Sequence, residues 1–326
     1  MTLTPEQAGA RCADVLRQVE RAVVGKRAAV ELALAGVLAG GHVLVEDVPG
    51  LGKTLLARSL AQALGLQFRR VQFTPDLLPG DITGSFLFDQ RRADFTFHPG
   101  PLFTNLLLAD EINRTPPKTQ SALLEAMQEG QVTVDGTTHL LPRPFHVIAT
   151  ANPIEHEGTY PLPEAQLDRF LLRISLGYPE RLQEWEMVRR RLARRREAQV
   201  LDAAMGAAEL LAAQEAVEDV ALEQTVGDYI LDLVAATRSH REVLVGASPR
   251  AVLALMQVSR ALAVLAGRDF VVPEDVERAA VPVLAHRLVL HAESWLRRTT
   301  TTQVLEEVLA TVPAPAVASV PTFESE

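Results

Sequence analysis

The sequence predicts an α/β domain whose mostly parallel sheet is covered on both faces and carries two inserted β-hairpins, with a helical domain after it. Three observations lead there. Short apolar, β-rich runs alternate with helical or loop sequence as far as about residue 178. Residues 42–46 form a buried-strand signal that passes through a turn with Pro49 and Gly50 into a helical stretch at 54–61. Beyond Pro179 the strand signals stop.

At the start, Thr4, Pro5 and Gln7 resemble a capping box that opens a helix. Ala8, Cys12, Val15 and Val19 then recur at helical spacing, which places Cys12 in the core. Residues 30–38 read as a second helix, ended by Gly40 and Gly41. After the first strand and its helix, further strands are expected at 68–73, 106–109 and 146–150. Residues 86–97 alternate apolar and polar around a polar centre. Residues 131–140 place Asp135-Gly136 between alternating arms, a hairpin-turn signal. Helices are expected at 180–196, 203–238, 248–265 and 273–290, with start signals at Ser248-Pro249 and Pro273-Glu274 and a stop at Gly267. Residues 312–326 are rich in Pro and Ala and read as a flexible tail. The expected domains are therefore 1–178, 179–311 and the tail 312–326.

With 326 residues, two domains and an ample core are expected. Forty-one acidic against 32 basic side chains give a net charge of −9, which argues against a surface that clings throughout to nucleic acid or anionic membrane. The single cysteine excludes an internal disulfide and any multi-cysteine metal site. His139, His146, His156, His240, His286 and His291 lack metal-ligand spacing. No apolar run is long enough to span a bilayer and the first residues lack a signal-peptide pattern, so a cytoplasmic protein is expected.

The chemistry concentrates at Asp47-Val48-Pro49-Gly50-Leu51-Gly52-Lys53-Thr54. A turn between strand and helix aims several backbone N–H groups into one small space, where they cradle phosphate oxygens. Gly50 and Gly52 permit close backbone approach, Lys53 would neutralise the β- and γ-phosphates, and Thr54 would hold Mg²⁺. The general pattern has glycine where Asp47 stands, and an ordinary strand-to-helix turn is the bland alternative. A second apolar strand ends in Asp110 and Glu111, two carboxylates delivered to the carboxyl edge of the sheet. Asp110 would organise the Mg²⁺ shell and Glu111 would act as general base on the attacking water.

These motifs, with Val24-Gly25, the run 73–84, Asn152-Pro153, the run 160–170 and Ser248-Pro249-Arg250, resemble the MoxR family of AAA+ ATPases over residues 20 to 290. The resemblance implies an AAA+ P-loop NTPase core followed by an all-α lid, with ATP and Mg²⁺ as cofactors. Asp47 is usual in that family. It further implies that Asn152 is the sensor orienting the lytic water and that Arg169 is an arginine finger offered to a neighbouring subunit. Arg250 matches a second sensor, acting on its own subunit's ATP or on a neighbour's. Val24 and Gly25 match the segment beside the adenine, with plain packing as the alternative, and the bland reading of Asp168-Arg169 is a local salt bridge. The hairpins match inserts that face a pore or a partner, though packing on their own core is an equal reading. The arginines between 189 and 196 read as a solvated helix face or subunit contact rather than a nucleic-acid surface. The resemblance suggests a homo-oligomeric ring, a hexamer, that remodels a protein client, with a von Willebrand A-domain protein as a partner. An ATP-gated adaptor with little turnover and a nucleic-acid translocase stand as rivals.

Overall fold

The computed structural model describes residues 2–91, 93–153, 158–195 and 199–315, apart from the Trp295 side chain. Arg92, His156, Arg196 and residues 316–326 of the expected tail lie outside the described residues. The opening helix α1 (Pro5–Ala22) has the full capping box, Gln7 N–H donating to Thr4 Oγ1 and Thr4 N–H to Gln7 Oε1. Helix α2 (Arg27–Leu38) follows, then β1 (Val43–Glu46), α3 (Lys53–Ala63) and β2 (Phe68–Gln72). After α4 (Pro79–Thr83) comes the first hairpin, β3 (Gly84–Asp89) and β4 (Asp94–Pro99). Next are β5 (Leu106–Asp110) and α5 (Pro117–Glu129), then the second hairpin, β6 (Gln131–Val134) and β7 (Thr137–Leu140). Strand β8 (His146–Ala151), the short α6 (Glu164–Leu167) and β9 (Leu172–Ile174) complete this part.

The five core strands are all parallel, in the order β2-β5-β8-β1-β9. Strands β5 and β8 are buried along their whole length, the pattern of a sheet covered on both faces. The register sets Val45 opposite Thr150 and Gln72 opposite Asp110. One apolar layer holds α1, α2 and α3 together with the C-terminal helices; the other holds α5, Phe73, Ile82 and Phe170.

The C-terminal helices are α7 (Arg181–Arg194), α8 (Ala207–Glu218), α9 (Gln224–Ser239), α10 (Pro249–Leu265), α11 (Pro273–Leu284), α12 (Ala292–Leu296) and α13 (Thr301–Thr311). Two details correct the expectation of a purely helical lid. A two-stranded antiparallel ribbon joins β10 (Val243–Val245) to β11 (Val289–Leu290), and the stretch 203–238 is two helices rather than one. The break follows Glu218, where the chain turns so that Ala221 bridges Phe270. Helix α1 packs on α3 and also on α10 and α8. A Cβ on Gly9 would stand 2.3 Å from Val264 O, so the two backbones approach as closely as glycine allows. No helix among the described residues is long and apolar enough to cross a membrane.

Candidate nucleotide site

Strand β1 delivers the chain to the turn 47–52, and α3 begins directly after it with Gly52 as N-cap. Gly50 and Gly52 have φ of +86° and +91°, and nothing lies within 4 Å of where a Cβ would stand. Glycine is required there by conformation, while the space above the turn stays open for an anion. The buried Lys53 side chain points back along the turn, its ammonium donating to Asp47 O and, at 3.1 Å, to Ala151 O. Thr54 is half-buried in the first turn of α3.

Asp47 shows why this position need not be glycine. Its carboxylate accepts from Ser175 Oγ at 2.8 Å, from Leu176 and Gly177 N–H at 2.7 Å each, and from Val48 N–H at 2.9 Å. Partial burial opposes ionisation, but the bonds from Gly177, Ser175, Val48 and Leu176 outweigh it and hold its pKa below the usual carboxylate value. The side chain thereby ties the phosphate loop to the segment that leads into α7.

Beside the loop, Thr150 on β8 joins the two carboxylates of the adjacent strand. Its hydroxyl donates to Asp110 Oδ1 at 2.6 Å and accepts from Glu111 N–H at 2.8 Å. Asp110 Oδ2 also receives Arg70 from β2, at 2.6 and 3.0 Å. Glu111 adopts φ 57° and ψ 51°, a left-handed conformation costing a β-carbon-bearing residue roughly 1–2 kcal/mol. Its carboxylate accepts from Gln72 Nε2 at 2.8 Å and Arg114 Nη1 at 3.1 Å. Asn152 is buried at the end of β8, one residue past the carbonyl that Lys53 reaches, and its own carbonyl accepts from Asn113. The structure thus brings Lys53, Asp110, Glu111 and Asn152 to one sheet edge. Thr150, Arg70 and Gln72 join them there. Sequence reasoning missed these three, because their positions carry meaning only once β2, β5 and β8 are neighbours.

Other expected residues lie elsewhere. Val24 and Gly25 follow α1, and a Cβ on Gly25 (φ +72°) would run into the Gln183 side chain of α7. Arg169 lies in a groove of about 240 Å³ with Glu125, Gln128 and Glu129 of α5, and its guanidinium has no ion pair among the described residues. The expected bland pairing of Asp168 with Arg169 is absent. Asp168 instead receives the buried Arg287 at 2.7 Å and the exposed Arg250 at 3.5 Å. Arg287 also donates to Phe170 O, Leu171 O and Val283 O, and His286 contacts Phe170 O at 3.0 Å. The segment bearing Arg169 is therefore fastened to the end of α11. Burial pushes the His286 pKa well below its ordinary value, and the neighbouring Arg287 charge adds to this.

Of the hairpins, β3–β4 keeps Phe97 stacked on His139 of β7 at 3.8 Å, so its base packs on the second hairpin. Its tip exposes Phe88 and Phe95, 5.3 Å apart.

Residues 42–172 match the ATPase family associated with various cellular activities (AAA), and residues 235–308 match the AAA lid domain. The Bacillus subtilis (strain 168) protein YeaC, itself uncharacterised, is 45% identical over 92% of this chain and 93% of its own. Chaperone MoxR1 of Mycobacterium tuberculosis (strain ATCC 25618 / H37Rv) is 44% identical over 93% of this chain and 82% of its own. The crystal structure of a candidate ATPase from Cytophaga hutchinsonii ATCC 33406 superposes with a TM-score of 0.87 at 40% identity, covering 95% of this chain and 96% of that one. Given the five-stranded parallel core, the glycine turn into α3 and these relatives, the chain belongs to the MoxR family of AAA+ ATPases, and ATP hydrolysis is its reaction.

Proposed function

We propose that this ATPase is Mg²⁺-dependent, works as a cytoplasmic ring, a hexamer, and spends hydrolysis on remodelling a partner protein. The observation that carries the reading is the gathering of Lys53, Asp110, Glu111 and Asn152 at one edge of the sheet, beside an open glycine turn. The residues fit a nucleoside triphosphate with its cation. Backbone N–H groups of 50–54 would cradle phosphate oxygens in the open space above the turn, and Lys53 can exchange its carbonyl partners for phosphate oxygens. Thr54 and Asp110 would hold Mg²⁺, which supplies charge neutralisation at the phosphates. Glu111 would take the proton of the attacking water, and Asn152, able both to donate and to accept, would orient that water. Val24 and Gly25 would border the adenine.

Arg169 sits on an outward groove against α5, a placement suited to an arginine finger that serves a neighbouring subunit. Arg250, exposed at the start of α10 and only loosely held by Asp168, is free to meet an anion on its own subunit or the next. In this reading residues 1–178 bind the nucleotide and 179–311 form the lid. The exposed aromatic tip of β3–β4 is the surface offered to a protein client, and a von Willebrand A-domain partner follows from the family resemblance. The net charge of −9 disfavours a nucleic-acid track.

The test mixes two inactive variants. Arg169→Ala and Glu111→Gln chains should each bind ATP but not hydrolyse it. Mixed, the Glu111→Gln chains lend intact fingers to the Arg169→Ala sites and part of the activity returns. Full turnover by a strictly monomeric wild type would sink the shared-site reading, and no response to DNA separates this protein from a translocase.

A further inference from the structure

Helix α7 is built with its polar side inward. Its half-buried positions are Gln183, Glu186, Arg190 and Arg194, a seam with helical spacing of three to four. That seam holds the helix to the body: Arg190 donates to Glu20 O at 2.8 Å and to Arg21 O at 3.2 Å, and Gln183 lies against Gly25. On the opposite side Trp185 is 64% exposed and Leu192 68%, with Val188 between them. A surface helix ordinarily turns such a stripe toward its own core. Here the stripe faces out, and an exposed tryptophan flanked by aliphatics is the composition of an interface anchor. Over residues 181–195 six arginines stand against two glutamates.

The same chain carries the complement. Residues 207–238, which span α8 and α9, hold seven acidic side chains and one arginine. Between α9 and α10 lies a cavity of about 260 Å³ floored by Leu222, Ile230, Val252 and Met256, with Glu223 and Asp228 on its rim. At its edge Leu231 is half exposed.

We propose that α7 of one copy seats Trp185 and Leu192 on the α9–α10 groove of a second copy, its arginines facing Glu223 and Asp228. The two patches lie on different elements, so the contact can repeat head to tail from copy to copy, the kind of interface that closes rings. This rests on the ring reading above and names a surface within it. A basic amphipathic helix also suits an anionic bilayer, but only a second copy explains the acidic, apolar-floored groove on the same molecule.

Cross-linking tests the contact directly, because the chain's own thiol is silent: Cys12 is fully buried and burial raises its pKa to about 12. Leu192→Cys and Leu231→Cys chains, mixed with ATP and a short bismaleimide, should join in pairs, and the double variant should give a ladder. Reversing Arg189 and Arg191 to Glu should weaken assembly at least tenfold, as should reversing Glu223 and Asp228 to Arg, while mixing the two reversed chains restores it. All six positions are on the surface, so an unchanged thermal midpoint confirms folding. If wild type assembles with ATP while the reversed chains assemble equally well and no cross-link forms, the ring stands and this contact is wrong. Should wild type fail to assemble at all with ATP, the ring reading itself falls. Sedimentation of wild type, but not of Trp185→Asp, with phosphatidylglycerol vesicles and without the 192–231 cross-link would assign α7 to lipid and overturn the proposal.

Discussion

The side-chain amide of Gln72, on β2, donates at 2.8 Å to the same Glu111 oxygen that Arg114 reaches at 3.1 Å. Both donors occupy that oxygen and hold the carboxylate against β2 and its own turn. In this arrangement Glu111 is restrained, and engagement of the site must break or lengthen these bonds. Gln72→Leu should raise basal ATP turnover about fivefold, the rate equivalent of one hydrogen bond of ~1 kcal/mol. The KM for ATP should stay unchanged. A drop in turnover would mean that Gln72 places the carboxylate instead of restraining it.

Asp47 offers a pH signature. Its folded-state pKa is depressed, so its stabilising contribution is complete above the unfolded carboxylate value of about 3.9 and fades as pH falls through the folded value. Asp47→Asn replaces an acceptor by an amide that meets N–H donors with its own. The variant should melt lower than wild type at pH 7, with the gap closing below about pH 4. A gap that stays constant from pH 7 to pH 3 would show that the charge is irrelevant and only the shape matters.

Gly52 separates conformation from space. Nothing would collide with a Cβ there, yet φ of +91° disfavours any other residue. Gly52→Ala should therefore leave the apolar core intact and weaken ATP binding about tenfold, since straightening the turn costs roughly 1–2 kcal/mol and misaims the N–H groups. Isothermal titration would read it. Unaltered affinity would deny the turn its role in holding phosphate.

Arg287 fastens the Arg169 segment to α11 through Asp168 and three carbonyls. Arg287→Met keeps the bulk but leaves those acceptors unpaired, and should cost about 3–5 kcal/mol in urea unfolding. Because Arg169 then loses its footing, turnover should fall further than ATP affinity. Equal stability would mean that water replaces the guanidinium without penalty.

Much of this was legible in the sequence. Asp135 and Gly136, at φ of +49° and +77°, form the hairpin turn their identities announce. The capping box at Thr4 and the glycine turn before Lys53 are local features that neighbours on the chain determine. What escaped depends on neighbours in space. Strand β9 is three residues long, too short for an alternation to register, and exists because β1 offers it an open edge. Val289 and Leu290 continue an apolar helical pattern yet pair with β10. Gln72 and Arg70 look like ordinary polar residues until the parallel register sets Gln72 opposite Asp110. Asp168 sits beside Arg169 in sequence but turns to Arg287, 119 positions away.

The position of α1 bears on how the chain is made. Ala8, Cys12 and Val15 leave the ribosome well before part of the surface that covers them, on α8 and α10, is synthesised. Until then a greasy helix waits half-dressed, exposed to aggregation or to a chaperone's grip. A fragment ending at residue 178 would stay in that condition permanently, so the nucleotide-binding portion should prove insoluble when expressed by itself.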